Sequence, residues 1–174
     1  MQTLKPLQDI LKKNLKILFV GTSPGVRSSK IGHYFAGKSN VFWKLLYESG
    51  LTPVRLFTEK DQKLIEYNFG LTDVVKTPTR STTDIKYGHT LNSTNRLNKL
   101  LEKFEPKIVA FVGKRGFQIY NQRLNEKYKY GYQGKLNNIR IYLIPSSSGQ
   151  SYRDTKYNEK LHWYKLLKLY SDRV

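Results

Sequence analysis

Ser23 lies between two glycines and beside a proline in Gly21-Thr22-Ser23-Pro24-Gly25, directly after the apolar run Ile17-Leu18-Phe19-Val20. A hydroxyl presented by a tight turn at the exit of a buried strand suits a nucleophile or a bound water. As G-x-S-x-G, the loop fits a serine hydrolase, with Asp73 or Asp154 and His162 downstream in a permissible order. Pro24 argues against that chemistry. The residue after such a nucleophile lends its backbone N–H to the oxyanion hole, and proline has none. The chain is also short for that fold, and the loop has neither a Gly-Lys-Ser/Thr ending nor G-x-G-x-x-G spacing, so nucleotide-cofactor binding drops out. A second loop, Pro145-Ser146-Ser147-Ser148-Gly149-Gln150, leaves another strand-like run, Ile139 to Ile144, and leads into a helical pattern rich in Lys and Tyr.

The elements that must position these loops alternate between strand and helix. The sequence predicts a strand at Lys16 to Val20 and a helix at Asn40 to Ser49, with Phe42, Leu45 and Leu46 facing inward and Gly50 ending it. A short helix starts at Thr58 with early carboxylates, and Gly70 to Val75 reads as a strand edge. After a polar loop, Lys76 to Asn92, a helix carries Leu97, Leu100, Leu101 and Phe104; a buried strand follows at Ile108 to Val112, and a helix carries Phe117, Ile119 and Tyr120. Lys127 to Asn138 reads as an irregular excursion or hairpin before the strand at Ile139 and a last helix around Leu161 to Leu169. This order implies an α/β fold, a central and mainly parallel sheet with helices on both faces, in one domain over residues 1–174. In such a sheet, loops at the carboxyl ends of different strands meet in one crevice.

Composition narrows what enters that crevice. With 31 Lys and Arg against 13 Asp and Glu, the chain carries a net charge of +18, which attracts polyanions. There is no cysteine, so disulfides, iron–sulfur clusters and thiolate zinc sites are excluded. His33, His89 and His162 have no ligand spacing, and no metal or other cofactor is expected. No apolar run approaches the roughly 20 residues of a membrane span. Met1 to Lys13 reads as a short amphipathic helix, with Leu4, Leu7, Ile10 and Leu11 on one side and no signal-peptide core; a cytoplasmic monomer is expected.

The two loops have the parts needed to hold a base flipped out of DNA: close backbone approach at Gly25 and Gly149, a stacking ring in Phe35, and a gap-filling side chain in Gln150. Ser146, Ser147 and Ser148, with backbone amides near a helix start, suit phosphate contacts, and Arg153 follows on the same stretch. Each feature also has a plain structural use, a core ring or a solvated turn.

Their ordered combination resembles the mismatch-specific uracil and thymine DNA glycosylases of the uracil-DNA glycosylase superfamily. The resemblance is carried by Gly21-Thr22-Ser23-Pro24-Gly25, by Gly32-His33-Tyr34-Phe35 with Asn40-Val41-Phe42-Trp43, and by Gly70-Leu71-Thr72-Asp73-Val74-Val75. It continues at Lys107 to Lys114 and at Ile144-Pro145-Ser146-Ser147-Ser148-Gly149. It implies a three-layer α/β/α sandwich and hydrolysis of the N-glycosidic bond of uracil in mismatched double-stranded DNA, with thymine, hypoxanthine or xanthine as secondary substrates. Gly21, Thr22 and Gly25 would then form the base pocket, with Phe35 stacking on the base, Asn40 supporting it and Gln150 as the wedge.

One departure bears on the chemistry. Where the family has Gly-Ile-Asn-Pro-Gly, its Asn holding the attacking water, this chain has Ser23, a single hydroxyl in place of an amide that both donates and accepts. Asp73 stands where the family tends to have Asn or Lys, and a carboxylate there would activate water with Ser23 assisting. Equally open is that Asp73 only hydrogen-bonds the base edge or caps a turn. Two other classes remain: a DNA-binding protein that recognises mismatches or abasic sites without cutting, and the serine hydrolase.

Overall fold

A computed structural model describes residues 4–81, 85, 90–153 and 155–174. Five strands form one sheet: β1 (Ile17–Gly21), β2 (Phe69–Asp73), β3 (Ile108–Val112), β4 (Gly131–Leu136) and β5 (Ile139–Ile144). Their spatial order is β2-β1-β3-β5-β4; all neighbours are parallel except the β4–β5 hairpin. Among the described residues the α-helices are α1 (Val26–Ile31), α2 (Phe42–Glu48), α3 (Thr90–Phe104), α4 (Lys114–Tyr120) and α5 (Tyr157–Ser171).

The three layers follow from the two-residue period of a strand. Ile17, Phe19, Ile108, Ala110, Val112, Tyr142 and Ile144 point to one face, where α2 and α5 cover them; Leu18, Val20, Val109, Phe111, Ile141 and Leu143 point to the other, under α3 and α4. Both faces are covered, which is why β1 and β3 read as apolar runs and β5 departs only at the half-buried Arg140. The chain leaves β1 toward β2 on one side and returns to β3 on the other. The direction of winding therefore reverses beside β1, and a crevice opens at the strand ends there.

Two expectations are corrected, and a third is resolved in favour of the hairpin. Residues 4–9 form no helix: Ile10 pairs antiparallel with Leu71 through N–H to O=C bonds of 2.9 and 3.0 Å, covering the open edge of β2. Leu7 and Ile10 join one core and Leu11 packs on the other, so this segment wraps the sheet edge instead of presenting one stripe. Thr58–Tyr67 is a 3-10 segment kinked at Lys60; it starts after Phe57 with no side-chain cap. Lys127 to Asn138 resolves into β4 and a tight turn, with Asn137 in the left-handed region at φ 53°.

Candidate active site

The carboxyl ends of β1, β2, β3 and β5 open into one cavity of about 510 Å³. Gly21, Thr22, Ser23 and Gly25 line it from the first loop, Asp73 from the end of β2, Phe35 and Asn40 from the segment before α2, and Ser146, Ser147, Ser148 and Gln150 from the serine loop. Parts that lie more than 120 residues apart in sequence thus share one space. Gly149 and Arg153 are not among the lining residues, and the side chain of Arg153, like Asp154 and His89, lies outside the described residues.

Asp73 pairs in register with Gly21 on the neighbouring strand, and its carboxylate lies against the Gly21 backbone. Any Cβ at Gly21 would collide with Asp73 Oδ1. Asp73 is 3% exposed, and its buried Oδ2 has no hydrogen-bond partner among the described residues. Burial pushes this carboxyl up to about 7; the positive charges of Lys76 and Arg96 oppose the rise and the negative charge of Asp9 adds to it. A carboxylate with one buried oxygen lacking a donor among the described residues, poised near neutrality at the wall of a cavity, can accept a proton from a bound water.

Ser23 Oγ lies 2.7 Å from Thr79 Oγ1. The segment holding Thr79 runs beside Gly25 as an isolated parallel bridge, and the Thr79 N–H donates to the Pro24 carbonyl at 3.0 Å. Thr79 and the exposed Arg80 thereby form a third wall of the cavity that sequence reading left in a polar loop. No imidazole lines this space among the described residues: His33 Nδ1 contacts Asp61 Oδ1 at 3.1 Å, and His162 is exposed on α5. The hydrolase arrangement of Ser23 with His162 is therefore not assembled.

Phe35 is half-buried, with its backbone in the left-handed region at φ 52°. Its ring stacks on Phe42 at 3.8 Å between centroids, and Phe42 packs edge-on to Phe19, which packs edge-on to Phe69. One face of the Phe35 ring is thus backed by the core while the residue borders the cavity. Asn40 Oδ1 accepts the Phe42 N–H at 3.0 Å, which orients the side chain and leaves its Nδ2 without a partner among the described residues.

The serine loop is braced from within. Ser147 is 1% exposed, and its carbonyl accepts the Val41 N–H at 3.0 Å. The amides of Ser148 and Gln150 are taken by the hydroxyls of Ser146 and Ser148, each at 3.3 Å, so they are not the open phosphate donors the sequence suggested. Close approach at Gly149 is also used by the protein itself, because a Cβ there would collide with Ser39; Gly25 has open space around it. Beneath the loop, the 2%-exposed Lys160 donates to the Ser148 carbonyl at 3.1 Å and to Ser151 Oγ at 2.8 Å. Gln150 stands exposed at the rim.

Sequence reading missed Thr79, Lys160 and the charged group behind Asp73. Lys160 had a faint signal, as a lysine on the inner side of an amphipathic helix. Asp9 had none, since its partners come from four separate segments.

Among the described residues, no cluster of His, Asp or Glu forms a metal site, and no helix is long and apolar enough to cross a membrane. The fold is similar to a solution NMR structure of a candidate uracil DNA glycosylase from Methanosarcina acetivorans, at TM-score 0.62 and 20% sequence identity, over 95% of this chain and 98% of that one. Independently of that structure, residues 8–168 match the family described as the Uracil DNA glycosylase superfamily. With its sheet, its crevice and nearly its whole length accounted for in this way, the chain belongs to the uracil DNA glycosylase superfamily.

Proposed function

We propose that this chain is a DNA glycosylase of the mismatch-specific kind, acting as one domain and as a monomer on double-stranded DNA. It removes uracil, best from G·U mismatches, with thymine and deaminated purines as secondary substrates. The observation that carries the reading is the buried Asp73 Oδ2, without a partner among the described residues, at the wall of a cavity that the core-backed Phe35 also lines. The family supports the reaction class, and the +18 charge supports a polyanionic partner.

The flipped base stacks on the open face of Phe35, and Asn40 Nδ2 donates to its edge. Gln150 enters the vacated space in the duplex and contacts the opposite strand, which favours a mispaired base because its extrusion costs less. Asp73 takes a proton from a water oriented by Ser23 and Thr79. The water oxygen bonds to C1′ as the C1′–N bond breaks, and the bonding electron pair leaves on the base. The negative charge at Asp73 also stabilises the cationic character of the sugar on the way. The products are the free base and an abasic site.

The test is single-turnover excision, read by alkali cleavage of labelled duplexes with uracil, thymine or hypoxanthine opposite each normal base. Cleavage that is fastest at uracil opposite guanine is expected. Tight mismatch binding without alkali-labile product on any duplex would identify a non-catalytic recognition protein and overturn the reading. The rate should rise with pH through about 7, as Asp73 loses its proton and becomes a base.

A further inference from the structure

Behind the wall formed by Asp73 lies a charged group that the proposed mechanism leaves unused. Asp9 Oδ1 accepts from Lys76 Nζ at 2.6 Å, from Thr72 Oγ1 at 2.6 Å and from the Tyr34 hydroxyl at 3.3 Å; Oδ2 accepts from Arg96 Nη1 at 3.4 Å. Lys76 Nζ also donates to the Tyr34 hydroxyl at 3.2 Å. The other end of the Arg96 guanidinium donates to the Asp73 backbone carbonyl and reaches the Val74 carbonyl at 3.4 Å. One carboxylate therefore gathers a lysine, an arginine and a tyrosine at the very strand end that presents Asp73.

We infer that Asp9 is a positioning residue for the reaction: it holds Lys76 and Arg96 behind the cavity wall and cancels part of the positive charge that Asp73 faces. This rests on the reading of Asp73 as the group that activates water. Among the described residues, the charged or titratable groups that act on Asp73 all belong to this cluster: Asp9 from the amino-terminal segment, Tyr34 from the segment after α1, Lys76 from the loop after β2, and Arg96 from α3.

Asp9 is not needed to dock its own segment. The neighbouring Ile10 already fixes it by two backbone hydrogen bonds to Leu71, and Leu7 and Ile10 are buried in the core. What Asp9 adds is charge and reach. Alone, Lys76 and Arg96 would present two positive charges to a buried carboxylate whose Oδ2 has no partner among the described residues. Two cations would hold that carboxylate ionised and make it a poor proton acceptor. With one of those charges answered by Asp9, the carboxyl keeps the proton affinity a base requires near neutral pH. Tyr34 stays a neutral donor here: burial, with Asp73 and Asp9 nearby, drives its hydroxyl far above the ordinary range.

The experiment is the pH dependence of single-turnover uracil excision by the full chain, across roughly pH 5 to 9, for the natural protein, Asp9→Asn and Lys76→Met. For Asp9→Asn the rising limb should move to lower pH by at least about half a unit, with a lower plateau, because a nearby cation depresses a carboxylic acid by about 1–3 units. For Lys76→Met the limb should move to higher pH. Shifts of opposite sign are the signature, since a purely structural role would lower both rates without moving either limb. An unmoved limb in both variants, or movement in the same direction, overturns the inference while leaving the glycosylase reading intact. Absent excision by the natural protein, or a flat profile, defeats the underlying reading of Asp73 instead. If Asp9→Asn does not fold, by its thermal melt, Lys76→Met decides alone: a limb shifted upward supports the inference and an unmoved limb sinks it.

Discussion

Asp61 and Asp73 are buried to nearly the same extent, 1% and 3% exposed, yet they sit in opposite electrostatic circumstances. Asp61, in the 3-10 segment, has both oxygens engaged: Oδ1 meets His33 Nδ1 at 3.1 Å and Oδ2 accepts the Tyr34 N–H at 2.9 Å. Asp73 has an unpartnered buried oxygen among the described residues and a proton affinity raised to near neutrality. The first carboxylate fastens a loop. It holds His33 and Tyr34, and so the backbone that presents Phe35. The second has a buried oxygen without a partner among the described residues at a cavity wall, which supports the proposed role in activating water. Burial alone does not separate a scaffold carboxylate from a candidate for chemistry; the supply of donors does.

The strongest way to break this contrast is Asp73→Asn. Single-turnover excision should fall by about 10²- to 10⁴-fold, while binding to a mismatched duplex stays near that of the natural chain. Undiminished excision would remove Asp73 from the mechanism. The same variant should be more stable at alkaline pH. The folded carboxyl, at about 7, lies above its ordinary value of 3.8, so between these the folded chain holds the extra proton and stability drops as pH rises through that window. Thermal melts should therefore separate the variant from the natural chain by on the order of 1 kcal/mol or more at pH 8 and hardly at all at pH 4.

Asp61→Ala should do the reverse. It strands the buried Tyr34 N–H and costs about 1–3 kcal/mol of folding stability, read by denaturant titration, while excision per folded molecule falls far less than in Asp73→Asn. Equal losses in both variants would erase the distinction. Gln150→Ala should cost roughly tenfold in excision from a well-paired uracil and less from a mismatch, because unstacking a paired base costs a few kcal/mol more. Smallest of all is Ser23→Asn, expected to excise at about the natural rate or up to a few-fold faster, since an amide both donates and accepts. A large loss there would give the Ser23 and Thr79 hydroxyl pair a dedicated role.

Much of the scaffold was legible because it rests on local periods. Ile108–Val112 is an unbroken apolar run buried on both faces, and Ile139–Ile144 is interrupted only by the half-buried Arg140, so their bounds were read directly. The convergence of Ser23, Asp73 and Ser146 followed from parallel strands whose ends must lie on one edge. The amino-terminal segment misled because Leu4, Leu7, Ile10 and Leu11 have helical spacing. Their partners are two different cores and the edge of β2, and tertiary pairing overrode local pattern. Asp9 and Lys160 stayed invisible for a related reason. A polar side chain whose partners are brought in by the fold has no period of its own, and only coordinates reveal what it meets.

The rings of Phe69, Phe19, Phe42 and Phe35 form an unbroken column from the sheet's outer strand to the rim of the crevice. Interior packing and the proposed base platform are consequently one mechanical system. A cavity opened at Phe19, two rings along the column from Phe35, would let that ring tilt, so on the proposed reading damage to the hydrophobic interior would register as poor discrimination among bases well before the chain melts.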